Sequence, residues 1–297
     1  MIKAAGRVGG LSAADLNYPD HFAENDAGEL SRFLDDQGMA LNGLAMRYYT
    51  EPNFAAGAFT NPDASMRRKA IDLTKSGIDV VARMGGSLMT LWLGQDGFDY
   101  SFQANYAELW NRTVAAVAEV ADHNPEIDIA IEYKPNEPRA YALMPDAATT
   151  LLGLREVDRP NVGVTLDFAH VLYADEMPAH SVHLIARNSN LLGVHLNDGY
   201  GKRDDGLMVG TVHPQQVIEL FLELANINFN GVIYFDTFPE QSGLDPVEEC
   251  RANIANTEHL RRLAVELMDN SELRAAIEQQ DAVKSQKIVS KSLFRAV

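Results

Sequence analysis

Four polar residues each end an apolar run: Glu132 after residues 127–131, Asp167 after 162–166, His195 after 191–194 and Asp236 after 232–235. Three carboxylates and an imidazole suit a hard or borderline divalent ion such as Mg²⁺, Mn²⁺ or Co²⁺ better than a thiolate-preferring one, and zinc stays open. Carboxylates gathered in one cavity repel each other, so a cation there removes a cost. Taken singly, each residue also reads as a capping Asp or a hydrogen-bonded His. Four of them at the ends of successive apolar runs argue for one shared site.

A second group lies close by in sequence. His170 stands three residues beyond Asp167, and Asp198, Asp204 and Asp205 follow the His195 run before Gly210. They could form a looser second ion site sharing Asp167, although loop aspartates also serve as turn formers; His170 and Asp204 stand out among them. Lys134, two residues past Glu132, would lean toward the same place, where an ammonium can polarise a substrate oxygen, or else snorkel over the rim. The stretch 135–138 has proline at both ends and stiffens that loop. Trp92 and Phe168, both near run ends, are candidate pocket walls or simple core.

The elements that must position these residues alternate between short β-type runs and helix-type segments, which argues for parallel strands joined by helical crossovers. Seven strands are predicted, at 11–17, 40–47, 88–93, 127–133, 162–167, 191–196 and 232–236. Helices are predicted at 66–84, where Ile71, Ile78 and Val81 share a face, and at 106–121, 214–225 and 246–268. Spacings of roughly 30 to 40 residues are those of βα units, and closing the barrel brings the strand ends to one mouth. The expected fold is a TIM (β/α)8-type barrel lacking its first strand in this chain. Residues 1–10 read as the last turns of a helix ending at Gly9-Gly10, which places the missing strand before Met1; an open or seven-stranded arrangement is the alternative. The barrel domain is read as 1–268 and a C-terminal helical tail as 269–297, of which 283–297, mixing Lys284, Lys287 and Lys291 with apolar residues, docks on a partner subunit or frays in solvent.

The chain has 297 residues, 46% of them hydrophobic and 23% charged, which excludes disordered and collagen-like classes. Lys and Arg total 25 against 42 Asp and Glu, a formal charge of -17 that disfavours nucleic acid as a partner. No apolar run is long enough for a membrane span and no signal-peptide pattern opens the chain. The lone Cys250 forms no internal disulfide, so a cytoplasmic location is expected.

The stretch Ile131-Glu132-Tyr133-Lys134-Pro135-Asn136-Glu137-Pro138-Arg139 resembles the Glu-Pro-Lys-Pro-Asn-Glu-Pro-Arg signature of xylose isomerases. Thr165-Leu166-Asp167-Phe168-Ala169-His170, Gly193-Val194-His195-Leu196-Asn197-Asp198, the loop 202–210 and Phe235-Asp236 resemble that family's later metal-ligand elements, as Ala58-Phe59-Thr60-Asn61-Pro62-Asp63 resembles an earlier segment. Over roughly residues 11–240, in the same order, the chain thus resembles the xylose isomerase-like superfamily, and within it sugar isomerases of the xylose and L-rhamnose isomerase type. The resemblance implies one metal held by Glu132, Asp167, His195 and Asp236, and a second near Asp167, His170 and Asp204, with Lys134 polarising the substrate carbonyl. It implies Mn²⁺, Mg²⁺ or Co²⁺ as the cofactor, no organic cofactor, a homodimer or homotetramer, and hydrogen transfer between C1 and C2 of an open-chain sugar. Trp92, Asn17, Phe168 and Asn197 are the candidate substrate contacts.

Two departures stand out. Gly206 replaces the second Asp of the family's catalytic-metal loop, so Asp205 substitutes, water completes the shell, or the site is weak. Asn17 stands where a ring-opening His is usual, and it does not titrate as His does. The expected activity is metal-dependent aldose–ketose isomerisation of a free monosaccharide. Alternatives are a ketose epimerase, which would rely on a glutamate pair, an inosose-type dehydratase, and a catalytically inactive sugar-binding barrel. A metal-dependent nuclease of the related fold needs more histidines and a basic groove.

Overall fold

The computed structural model describes residues 2–22 and 26–294; Met1 of the predicted first helix and residues 295–297 of the predicted tail lie outside these. The chain begins with α1 (Ile2–Val8), β1 (Ala13–Tyr18), α2 (Ala27–Asp35) and β2 (Ala40–Met46). It continues through α3 (Ala64–Arg83), β3 (Leu88–Leu91), β4 (Gly97–Phe98), α4 (Tyr106–Ala121), β5 (Asp128–Glu132) and β6 (Tyr141–Ala142). Then come α5 (Ala147–Val157), β7 (Val162–Asp167), α6 (Phe168–Tyr173), α7 (Pro178–Asn188), β8 (Leu191–Leu196), α8 (Pro214–Asn226) and β9 (Val232–Phe235). Three helices complete the described chain, α9 (Pro246–Met268), α10 (Ser271–Glu278) and α11 (Ala282–Leu293).

Seven strands form one parallel sheet in the order β1-β2-β3-β5-β7-β8-β9, curled into a nearly closed TIM-type barrel surrounded by helices. The seven predicted strands are all present. The antiparallel pair β4 and β6, two residues each, was not anticipated, because segments so short carry no periodic signal. β3 and β7 are buried throughout, as strands covered on both faces must be, whereas β1 and β9 are mostly half-buried. These two are the edges of the sheet, and among the described residues no eighth strand joins them. A cavity of about 190 Å³ separates them, lined by Leu16 and Asp15 of β1, Tyr234 of β9, Ile2 of α1 and Cys250 of α9.

The helices begin where the sequence supplies acceptors for their free N–H groups. Asp26 and Glu29 form a reciprocal capping box on α2, and Asp63 Oδ1 accepts from Ser65 N at the start of α3. Ile71, Ile78 and Val81 of α3 are buried against the sheet as their spacing requires. Gly9 and Gly10, both at positive φ, end α1 where a Cβ would be strained. The chain from Ser271 forms α10, with Leu273 and Ala276 buried, and α11, which has no buried residues. No described helix is long and apolar enough to cross a membrane.

Neighbouring strands approach closely at Gly43 of β2, which pairs with both Asp15 and Leu88. A Cβ at Gly43 would overlap the backbone carbonyl oxygen of Leu88, which has little freedom to move. Gly43→Ala is therefore expected to destabilise the fold by about 2 kcal/mol, read as a lower denaturant midpoint at unchanged slope; an unchanged midpoint would refute the close packing of β2 on β3.

Candidate active site

Glu132 ends β5, Asp167 ends β7, His195 is the penultimate residue of β8 and Asp236 follows β9. Parallel register carries all four to the same rim, with Asp167 paired to His195 and Glu132 to Thr165. One donor atom from each lies within 4.8 Å of every other. His195 Nδ1 stands 3.2 Å from Glu132 Oε1 and 3.9 Å from both Asp167 Oδ2 and Asp236 Oδ2. One small ion bonded at about 2.1 Å to each donor requires spacings of this order. Three of the four residues are buried and Asp236 is half-buried.

Electrostatics show how strongly this centre calls for positive charge. Burial alone would suppress the His195 imidazolium, but Glu132, Asp236 and Asp167 outweigh it and push the ring up to about 10. Withdrawal from water raises Asp236 to about 7, with Asp167 and Glu132 adding to the rise and His195 opposing it. Burial also lifts Asp167, reinforced by Asp204 and Glu132. Glu132 resists burial and stays below its ordinary value because His195 and His170 face it.

Asp167 is held from two sides, and this decides the role of Asn197. His170 N donates to Asp167 Oδ1 at 2.9 Å, so Asp167 caps α6 while its other oxygen faces the cluster. Asn197 Nδ2 donates to both Asp167 oxygens at 3.2 and 3.0 Å and to the carbonyl of Asp236 at 3.0 Å, while its Oδ1 accepts from Ala169 N. Fully buried and fully bonded, Asn197 orients a carboxylate and has no group left for substrate. The expectation of Asn197 as a substrate contact is corrected accordingly. Phe168 is corrected too: at 0% exposure it is core beneath the rim, as expected of the first residue of a helix packed on the sheet. Asn17 is half-buried near the end of β1, where its backbone N–H donates to His21 Nδ1 at 3.0 Å. An imidazole thus stands beside the position where a histidine was missed.

Lys134 reaches the mouth as expected and is 7% exposed. Its Nζ lies 2.8 Å from Glu137 Oε2 and 3.1 Å from Asp204 Oδ2, and 5.0 Å from the centroid of the Trp92 ring. Burial works against its charge, but Asp204 and Glu137 outweigh it and hold the ammonium above its ordinary value. Glu137 is placed by a loop in which its φ is +71°, a conformation that non-glycine residues seldom adopt. Trp92 is braced in turn by Tyr49, ring to ring at 4.7 Å.

His170 Nδ1 lies 3.0 Å from the Tyr133 carbonyl and must carry the hydrogen of that bond. Its Nε2 faces Asp204 Oδ2 at 3.1 Å. Burial opposes a charge on this ring, yet Asp167, Asp204 and Glu132 bring it up to about 9. The other loop aspartates go elsewhere. Asp198 accepts from Val212 N, His213 N and His213 Nδ1, and Asp205 from Tyr200 N and Arg203 Nε. Sequence reasoning assigned no role to Glu137, Tyr49 or His21. Glu137 lay within the quoted signature, and its spacing of three from Lys134 was the available signal.

An ion at His195 Nδ1 must displace the proton that the free ring holds, so its affinity should fall as pH falls below about 10. Titration with Mn²⁺ between about pH 6 and pH 8 should show at least a tenfold gain per pH unit; a flat profile would exclude His195 as a ligand. Asn197→Ala should lower the same affinity by about 10-fold, because Asp167 loses its orientation; an unchanged affinity would show that the α6 cap alone suffices.

Relatives of known kind bear on this arrangement. A xylose isomerase of Thermus thermophilus is 27% identical over 211 residues, covering 68% of this chain and 54% of that protein, so the chain spans about half of that relative's length. A solved D-psicose 3-epimerase of Clostridium cellulolyticum H10, with D-tagatose, matches at TM-score 0.69 and 17% identity over 88% of this chain and 92% of that one. An L-ribulose 3-epimerase matches at TM-score 0.71 and 18% identity over 90% and 91%. A xylose isomerase domain protein of Alicyclobacillus acidocaldarius subsp. acidocaldarius matches at 0.64 and 19% over 89% and 92%. At such identities these structures establish the shared fold. The family model for xylose isomerase-like TIM barrels matches residues 8–263, which include every strand of the barrel and all the residues of the rim cluster, and the chain belongs to that family.

Proposed function

We propose that this protein is a divalent-metal-dependent aldose–ketose isomerase acting on a free monosaccharide. The observation that carries the reading is the juxtaposition of two features at one barrel rim. One is the donor set Glu132, Asp167, His195 and Asp236; the other is the buried ammonium of Lys134, caged by Asp204, Glu137 and the face of Trp92. Glu132, Asp167, His195 and Asp236 would hold Mn²⁺, Mg²⁺ or Co²⁺, which supplies Lewis-acid polarisation of neighbouring sugar oxygens when bound.

In the reaction the hydrogen on C2 of the open-chain aldose moves to C1, O2 loses its proton and O1 gains one. Lys134 Nζ is the donor that would face O1, where negative charge develops, and its burial strengthens that interaction. Glu137 and Asp204 keep the lysine charged and aimed. Trp92 covers one side of the ammonium and keeps water from it. His170 Nε2 and Asp204 Oδ2, 3.1 Å apart, would pass a proton to and from the substrate oxygens.

A free sugar is favoured over a phosphorylated one because the two arginines of the neighbouring loops are committed and Lys202 is exposed. Arg139 pairs with Asp99 at 2.6 Å and donates to the carbonyls of Gln95 and Ala55, while Arg203 pairs with Asp205. Ketose epimerisation is the second reading, favoured by the two carboxylates Glu132 and Asp236 on different strands of one cluster. The ammonium of Lys134, held at the same rim by Asp204 and Glu137, is what turns the balance toward isomerisation.

A panel of aldoses and ketoses, offered to protein that has been chelated and then resupplied with Mg²⁺, Mn²⁺ or Co²⁺, should give metal-dependent aldose–ketose interconversion. Epimers alone would select the second reading, and equal activity of the chelated protein would overturn the metal role. Lys134→Met should reduce turnover by about 10³-fold while the ion stays bound, whereas Glu132→Gln should lower ion occupancy and turnover together. Near-full isomerisation by Lys134→Met would remove the lysine from the reaction.

A further inference from the structure

The resemblance to xylose isomerases implies a second ion at Asp167, His170 and Asp204, and the donors around that position do not fit one while the Lys134 ammonium holds Asp204. We infer that the Lys134 ammonium takes the place of the second cation, so that each chain holds a single divalent ion. The inference rests on reading Glu132, Asp167, His195 and Asp236 as the ligands of that ion.

The loop that would have to complete a second ion's shell brings only one carboxylate inward. Asp204 points in, with its side chain 10% exposed. Asp205 is turned away, its oxygens 2.8 Å from Tyr200 N and 2.9 Å from Arg203 Nε. Gly206 has no donor and cannot readily be replaced by a residue that has one: its φ is +56°, and a Cβ there would overlap the ring of Phe238. Phe238 is fixed in that place by its backbone N–H, which donates to the Gly206 carbonyl at 2.9 Å.

The one inward carboxylate is already engaged. Asp204 Oδ2 meets both Lys134 Nζ and His170 Nε2 at 3.1 Å, so an ion there would have to displace an ammonium that Glu137 also holds at 2.8 Å. Asp204 Oδ1 is buried without a hydrogen-bond partner. That single open acceptor suits one substrate hydroxyl, whereas a divalent ion held by it would sit against the Lys134 ammonium bonded to the same carboxylate. Charge points the same way. Four carboxylates, Glu132, Asp167, Asp204 and Asp236, surround the centre, and one divalent ion with Lys134 offsets three of their charges. In the proposed reaction the second positive charge near the sugar oxygens is then a fixed ammonium, which cannot exchange with the medium.

The test is stoichiometry. Protein stripped with a chelator, reloaded with excess Mn²⁺ and freed of unbound ion should carry one equivalent per chain by elemental analysis, with the electron paramagnetic resonance spectrum of isolated Mn²⁺. Lys134→Ala, which vacates the position without filling it, should bind a second equivalent and show the broadened spectrum of two coupled ions. Two equivalents in the unaltered protein would overturn the inference, and so would Lys134→Ala remaining at one. The unaltered protein decides the first point without reference to any variant. Failure of the isomerase reading is seen separately, as no interconversion in the sugar panel by protein carrying its single ion.

Discussion

Mutual repulsion among carboxylates governs the rim of this barrel. Two unit charges 4 Å apart interact by about 4 kcal/mol at an effective dielectric constant near 20, and Glu132, Asp167, Asp204 and Asp236 are crowded around one centre where water is largely excluded. Almost every nearby polar contact answers that repulsion. His195 and His170 take up charge well above the ordinary histidine range, Lys134 is held charged despite its burial, and Asn197 directs its amide at both oxygens of Asp167. A divalent ion at the Glu132, Asp167, His195 and Asp236 donors completes this response in the proposed function.

The scaffold makes such crowding affordable because the residues beneath the rim are apolar and closely packed. Phe168, Leu166, Val194 and Ile131 are buried below the cluster, and the strands are hydrogen-bonded from β1 through to β9. Rigidity here is functional: a carboxylate free to swing away would relieve the repulsion by leaving the site. The edges β1 and β9 are where this support is thinnest. Asp236 follows an edge strand and is the one half-buried member of its cluster, next to the cavity that separates the two edges.

The loops contribute by committing their own polar groups. Asp198 gathers the N–H groups of Val212 and His213, Asp205 those of Tyr200 and Arg203, and Arg139 spans Asp99 and two carbonyls. Each such bond removes a charge from competition with the rim. Lys134 and Asp204, from the loops that follow β5 and β8, turn inward and pair with each other.

Much of this was legible in the sequence, and the reason is covalent order. Parallel βα units place the residue that ends each strand at one rim, so the ends of four apolar runs had to meet once the alternation was recognised; Glu132, Asp167, His195 and Asp236 are found together. The seven strands, the long helices and the reach of Lys134 followed from the same periodicity. Side-chain direction within loops did not follow, because it depends on contacts between segments far apart in the chain. Asp204 and Asp205 are neighbours of equal chemistry, and only the tertiary structure turns one toward Lys134 and the other toward Tyr200. Asn197 looked like a substrate contact until Asp167 was placed beside it, and Phe168 like a pocket wall until the sheet buried it. Gly206 was visible as a missing carboxylate, but the Phe238 ring that occupies its space comes from beyond β9. Sequence alone determined which residues arrive at the rim; packing across the barrel decided which of them face its centre and which are spent on holding the others.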